Sequence, residues 1–396
     1  MDLFVQKIPS TLFSKMMPKI TPRAETCIHK LYHMLKKAEG NRGNIEHMVE
    51  INTNILNVNN YVKMALAKYN NGSVHYFPEK TVRNVEEMAE RIIKVVFKLP
   101  NRTIDIFFIM DSENFSVFSK QENLNTYLSH LKTWFGFLDD IASDACAKTL
   151  NIHIYLSNEK KALPSLPGDI IGVEHVNSAF SNVCERNGEI VIYRKEEWFK
   201  VLIHETLHNY GIDFSLMDQS KMATHLFNVF PIGANIDDAL FSETYTETWA
   251  ELINTAIIAL DLDEDDNINT FSLYFHFLTQ IELFHSMAQT KKILYHFDLS
   301  YDSLFERKSA KRYKQSSHVF EYYILKTVLL SNYGDFLCWA NDNMRNMIIF
   351  PDEERKLHSF CELLEKLAEI SNMRQVDMIN LDMYHDKNLR MSICEI

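Results

Sequence analysis

The chain of 396 residues predicts an α+β, predominantly helical fold, in which a small sheet leads into a histidine-bearing helix and a helical C-terminal half. Three observations predict it. Glycine (10) and proline (9) fall well below their usual shares of roughly 7% and 5%, which leaves few tight turns and favours helices over a sandwich or barrel. Apolar positions recur three and four residues apart over much of the sequence. In the stretch 102–194, short β-branched and aromatic runs interrupt that period. With 46% hydrophobic residues the chain can bury a sizeable core.

The elements follow in order. Helical periodicity in ETCIHKLYHMLKKAEG and VRNVEEMAERIIKVVFKL predicts an N-terminal helical region over 1–100. RTIDIFFIMD (102–111) reads as a strand, NLNTYLSHLKTWFGFLDDI as a helix and NIHIYLS (151–157) as a second strand. LPSLPGD is a loop, and HVNSAFSNV and GEIVIYR (188–194) read as two further short strands joined through ERNG. From 196 onward the pattern is helical, with breaks at PIGAN (231–235), DLDEDDN (261–267) and FPDEE (350–354). This divides the chain into the N-terminal region, a core over 101–300 and a C-terminal helical region over 301–396. There are no internal repeats and no low-complexity tract.

The formal charge of -12 provides no basic footprint, so nucleic acid is not an expected partner. The N-terminal stretch lacks an apolar run long enough for a secretory signal, and no later stretch reaches the roughly 18 apolar residues a membrane span needs. A membrane is not expected as a partner either. Six scattered cysteines without CxxC spacing predict reduced thiols in an intracellular, cytoplasm-like compartment rather than a secreted protein.

The stretch VLIHETLHNYG (201–211) holds H-E-x-x-H. Histidines four apart lie one turn from each other on the same helix face, so the imidazoles of His204 and His208 can reach one ion. Glu205 stands beside them, placed to take a proton from an activated water without being a ligand. Gly211 falls where a left-handed cap would end the helix. Chance alone supplies such a pattern on the order of a few per cent of the time, so the motif needs a third ligand.

Three candidates exist. HETLHNYGID resembles the metzincin pattern as far as its glycine, but the ligand position is Phe214 and Asp213 comes one residue early. SETYTETWAEL (242–252) sets Glu243, Glu247 and Glu251 on one helical face at four-residue spacing. Three like charges so stacked repel one another, and their neighbours Tyr245, Trp249, Leu252 and Ile253 suggest a buried helix where unpaired carboxylates are costly. A cation nearby would relieve that cost.

At this point the sequence resembles the gluzincin zinc metallopeptidases, whose third ligand is a glutamate on a following helix in patterns such as E-x-x-A-D; here the matching stretch is Glu247-Thr-Trp-Ala250-Glu251. The resemblance implies a zincin-like core with a small sheet packed on the H-E-x-x-H helix. It implies Zn2+ held by His204, His208 and Glu247, with Glu251 accepting the free N–H of a ligand histidine. Glu243 is the alternative ligand. The implied activity is hydrolysis of a peptide or protein substrate, with Glu205 as general base. HVNSAFS (175–181) is the expected edge strand for an extended substrate, and His318 or Tyr322, near Tyr323 in SSHVFEYYILK, the expected oxyanion donor. The rival reading is a catalytically silent zincin-fold binding or assembly module; an intact Glu205 favours the enzyme.

Two other signals carry no site. DLDEDDNINTFS starts like a calcium loop, but Asp266 stands where glycine is needed and Ser272 where the bidentate glutamate belongs. The basic run ERKSAKRYK (306–314) reads as a solvated helix face.

Overall fold

The computed structural model describes residues 20–69, 76–233, 239–370, 372–381 and 386–395. Residues 1–19, on which the reading of the N-terminal stretch rests, and 234–238, part of the break expected at PIGAN, lie outside these. The fold is α+β and predominantly helical, with one mixed sheet of six strands. The described residues fall into two compact units, one within 33–160 and 177–212, the other within 20–32, 161–176 and 213–395.

The first unit holds the sheet. Its elements in chain order are the second half of helix α1 (Pro22–Gly40), strand β1 (Glu46–Asn52), helices α2 (Ile55–Leu66) and α3 (Glu79–Met88), and strands β2 (Arg91–Lys98) and β3 (Thr103–Met110). Helices α4 (Ser112–Phe118) and α5 (Gln121–Ile141), strands β4 (Thr149–Tyr155), β5 (Ala179–Ser181) and β6 (Asn187–Ile192), and helix α6 (Trp198–Asn209) follow. The strand order is β1-β2-β3-β4-β6-β5. β3, β4 and β6 run parallel, and β1, β2 and β5 pair antiparallel to their neighbours.

Residues 21–99 are not a helical region. β1 and β2 lie within them, and the helix expected through VRNVEEMAERIIKVVFKL stops at Met88. The cause is RIIKVVFK, whose Ile and Val side chains fill both faces of an inner strand: Ile92, Ile93, Val95 and Phe97 are all buried. Val58, Val62, Val82 and Val85 of α2 and α3 cover one face of the sheet, packing with Ile92, Ile109, Tyr155 and Val191. On the other face Phe97 meets Phe135 of α5, and Phe108 meets Trp198 of α6. α6 therefore lies in a layer directly against the sheet.

The six cysteines are not all thiols. Cys146 and Cys184 form a disulfide across 38 residues, while Cys27, Cys338, Cys361 and Cys394 are free. Spacing could not show the pair, because the fold brings the two loops together: Ala147 N–H donates to the Glu185 carbonyl at 2.8 Å.

The second unit is helical. Its main elements are α7 (Ser220–Val229), α8 (Ser242–Leu262), α9 (Ile268–His296), a π-helix (Phe320–Leu325) running into α10 (Lys326–Ser331), α11 (Tyr333–Asn343) and α12 (Glu354–Ile370). The breaks expected near 261–267 and 350–354 separate α8 from α9 and precede α12. α8 is the core of this unit, buried on almost every side, and Tyr245 packs its ring against Phe214, Trp249, Phe350 and Phe360.

Segment 386–395 pairs through its backbone only at an isolated antiparallel bridge of Asn388 with Ala162, and side chains hold the rest of it. Glu282 accepts from the N–H groups of Ile393 and Cys394 at 3.0 and 2.6 Å and from the Ser392 hydroxyl at 2.8 Å. Tyr323 donates to the Leu389 carbonyl, Gln289 to that of Arg390, Lys326 to that of Met391 and Asn254 to that of Cys394. No helix among the described residues is long and apolar enough to cross a membrane.

Candidate metal centre

α6 carries HETLH, and its ends explain why it stops there. Gly211 takes a φ of +63°, its N–H donates to the His208 carbonyl at 3.0 Å, and the Ile212 N–H reaches back to Leu207 at 2.9 Å. That pair of bonds is the Schellman arrangement, which needs a left-handed residue and so suits glycine. The expected cap at Gly211 is present. All twelve residues of the helix are buried. Thr206 accepts from the Trp134 indole N–H at 2.9 Å, tying the helix to α5.

His204 and His208 are 6% exposed each, and their Nε2 atoms lie 3.1 Å apart. Both rings point at one spot. Among the described residues one group of three metal-ligating side chains comes together, His204, His208 and Glu243, with one ligand atom from each all within 4.8 Å of one another. This buried group could hold a metal ion. Glu205 is equally buried, at 7%; burial raises the pKa of the Tyr193 phenol, Arg194 opposes that, and the nearby charge of Glu205 adds to it.

Glu243 is in the first turn of α8, where the unsatisfied N–H groups favour a carboxylate. Gln219 fixes that turn: its side-chain oxygen accepts from the Ser242 N–H at 3.1 Å and its amide donates to the Ser242 hydroxyl at 3.2 Å. The residue expected as third ligand, Glu247, is 2% exposed but is not a member of the group; Glu243, the alternative, is. The physical reason is one helical turn. Residues four apart share a face but differ by about 6 Å along the axis, more than a ligand position tolerates.

Glu251 pairs with Lys326 at 3.3 Å, both side chains 1% exposed. It also bonds Glu282, whose carboxyl burial pushes up but whose bonds to Glu251 and to the N–H groups of Cys394 and Ile393, with His285 nearby, hold at about 2. Asp213 accepts from the Thr246 hydroxyl at 3.1 Å and the Ser215 N–H at 3.3 Å. It anchors a loop to α8 and is not in the group.

His318 and Tyr322 neighbour each other, with ring centroids 6.0 Å apart, at the start of the π-helix. Glu321 between them is forced up to about 8, by burial first and then by the charge of Glu243. A π-turn is rare and often marks a functional site, and neither this turn nor Glu321 was expected from the sequence. The expected edge strand is present but shorter, as β5. It flanks α6, and Ser181 donates its hydroxyl to the Glu205 carbonyl at 3.3 Å. Compared with family models, with curated proteins and with solved structures, the chain matches none.

Proposed function

We propose that the chain is an intracellular zinc-dependent metallopeptidase of gluzincin type, acting on a peptide or protein substrate, in which His204, His208 and Glu243 hold the zinc. The observation that carries this reading is the buried group of two imidazoles and one carboxylate, with Glu205 beside the imidazoles on α6. The donor set fits. Two nitrogen ligands at 2.0–2.1 Å from a tetrahedral ion lie about 3.3 Å from each other, and the two Nε2 atoms are 3.1 Å apart. Three protein ligands also leave the fourth position that a catalytic zinc requires.

When bound, zinc supplies a Lewis acid that polarises a carbonyl and makes a water acidic enough to be used near neutral pH. The chain does the rest. His204 and His208 bind as neutral imidazoles through Nε2, and burial keeps bulk water from competing. Glu205 follows His204 directly, so its carboxylate takes the proton of the attacking water and returns it to the leaving amine. β5, with its outer edge unpaired by any described strand, accepts an extended substrate backbone, and His318 or Tyr322 donates to the developing oxyanion.

The test separates base from ligand. Purified protein should carry about one zinc per chain, as one such site demands. Glu205→Gln should keep that zinc while hydrolysis of a peptide library falls by roughly 10²–10⁴. Stoichiometric zinc surviving His204→Ala with His208→Ala would overturn the site. Equal turnover by the Glu205→Gln protein would overturn the mechanism, and zinc binding without turnover by the parent would leave a binding module.

A further inference from the structure

The disulfide lies under the last turn of the helix that carries both histidines. A Cβ built on Gly211 would sit 3.3 Å from the Cys146 sulfur and 3.3 Å from the Cys184 sulfur, so the cross-link forms the floor against which the helix cap packs. The loop holding Cys184 makes two bonds to that same turn. The Cys184 N–H donates to the carbonyl of His208 at 3.4 Å, and the Asn209 side chain donates to the carbonyl of Asn182 at 2.9 Å. Asn209 in turn rests on Gly188 of β6, where any side chain would clash with it at 2.5 Å.

The cross-link also holds backbone in a costly shape. Cys184 has φ +47° and Ala147 φ +50°, a left-handed region that residues with a Cβ rarely adopt unless their surroundings enforce it. Cys184 is half-buried and followed by exposed Glu185 and Arg186, whereas Cys146 is buried, so Cys184 is the half of the bond nearer solvent.

We propose that Cys146–Cys184 is a thiol–disulfide exchange site that sets the metal affinity of the centre through His208. This rests on the metal-site reading above and extends it to regulation of that site. The co-reactant is a dithiol, either a small molecule or a protein with two neighbouring cysteines. One of its thiolates attacks the Cys184 sulfur, the S–S bond breaks, and Cys146 leaves as a thiolate that takes up a proton. The second thiol of the reductant then attacks the mixed disulfide, releasing Cys184 as a thiol and leaving the reductant as its own disulfide. Two electrons and two protons pass to the chain. Freed of the link, Cys184 leaves the left-handed region, the loop withdraws from the His208 carbonyl and from Asn209, and the histidine loses the backing that fixes its ring.

The experiment uses the full chain and zinc alone. Thiol alkylation followed by mass spectrometry defines the oxidised and the phosphine-reduced states, and competition with a chromophoric chelator measures zinc affinity in each. Oxidised protein should bind zinc roughly 10-fold or more tightly than reduced protein, the range typical when support behind a ligand histidine is lost. Cys146→Ser with Cys184→Ser should match the reduced protein and ignore reductant, which also shows that the freed thiols are not themselves the ligands. Equal affinity in all three overturns the switch while leaving the metal site intact. No zinc binding in either state overturns the metal-site reading, and the switch with it. Loss of the far-ultraviolet circular dichroism signal on reduction makes the bond a structural staple and overturns the proposal, as does failure of the two cysteines to pair under mild oxidant.

Discussion

Glu243 and Glu247 have the same chemistry and the same helical phase, and both are buried, at 8% and 2%. Only their height on α8 separates them. Glu243→Ala should therefore abolish most zinc binding, whereas Glu247→Ala should retain about one zinc per chain; chelator competition on the two variants measures this. The opposite result would restore Glu247 as ligand. Residue-scale legibility ended at that turn. The pair His204 and His208 was readable because its geometry is set within five residues of one helix. The third ligand lies on a helix remote in sequence, and a pattern repeating every four residues does not say which turn supplies it. Glu251 shows the same limit: its spacing named a face, but not that Lys326, 75 residues away, pairs with it there.

At the scale of elements, the end of α6 was legible because its stop signal is local. Gly211 takes the left-handed conformation its position called for. Gly211→Ala should destabilise the protein by about 1–3 kcal/mol, since it places a Cβ both at positive φ and against the disulfide. Urea denaturation measures the change, and a midpoint equal to the parent's would show that the cap is not under this constraint. β2 was not legible. MAERIIKVVF can be read as a continuation of α3, and what decides for a strand is the partners on either side, β1 and β3. The disulfide was hidden for the same reason, as its two cysteines meet through loops whose approach the sheet dictates. Composition predicted the helical majority correctly because scarce glycine and proline limit turns wherever they would have fallen.

For the whole molecule, stability should depend on pH through a histidine far from the motif in sequence. His153 on β4 is 8% exposed, stacked on Phe107 and bonded to the Tyr61 hydroxyl at 2.9 Å. Burial lowers its pKa to about 4, with Lys68 adding to the effect and Glu189 opposing it. The unfolded chain, at the ordinary value near 6.5, binds a proton that the folded chain refuses between those values. This contribution is therefore complete above about pH 6.5 and is lost as pH falls toward 4. From pH 7 to pH 5 the loss should be about 2 kcal/mol, and His153→Gln should remove that part of the pH dependence. Denaturation curves at the two pH values test it; unchanged slopes would mean that the ring titrates normally in the folded state.

Segment 386–395 has a consequence for how the molecule behaves in solvent exchange and under proteases. Beyond the bridge at Asn388 its amides belong to no ladder, so a map of helices and strands would mark 391–395 as a loose tail. The carboxylate of Glu282 nevertheless captures the N–H groups of Ile393 and Cys394 inside the helical unit. Deuterium uptake there should be as slow as in a central strand, and a protease should fail to trim it. Slow exchange of this kind would belong to a single buried side chain and would vanish from both consecutive amides, Ile393 and Cys394, when Glu282 alone is replaced.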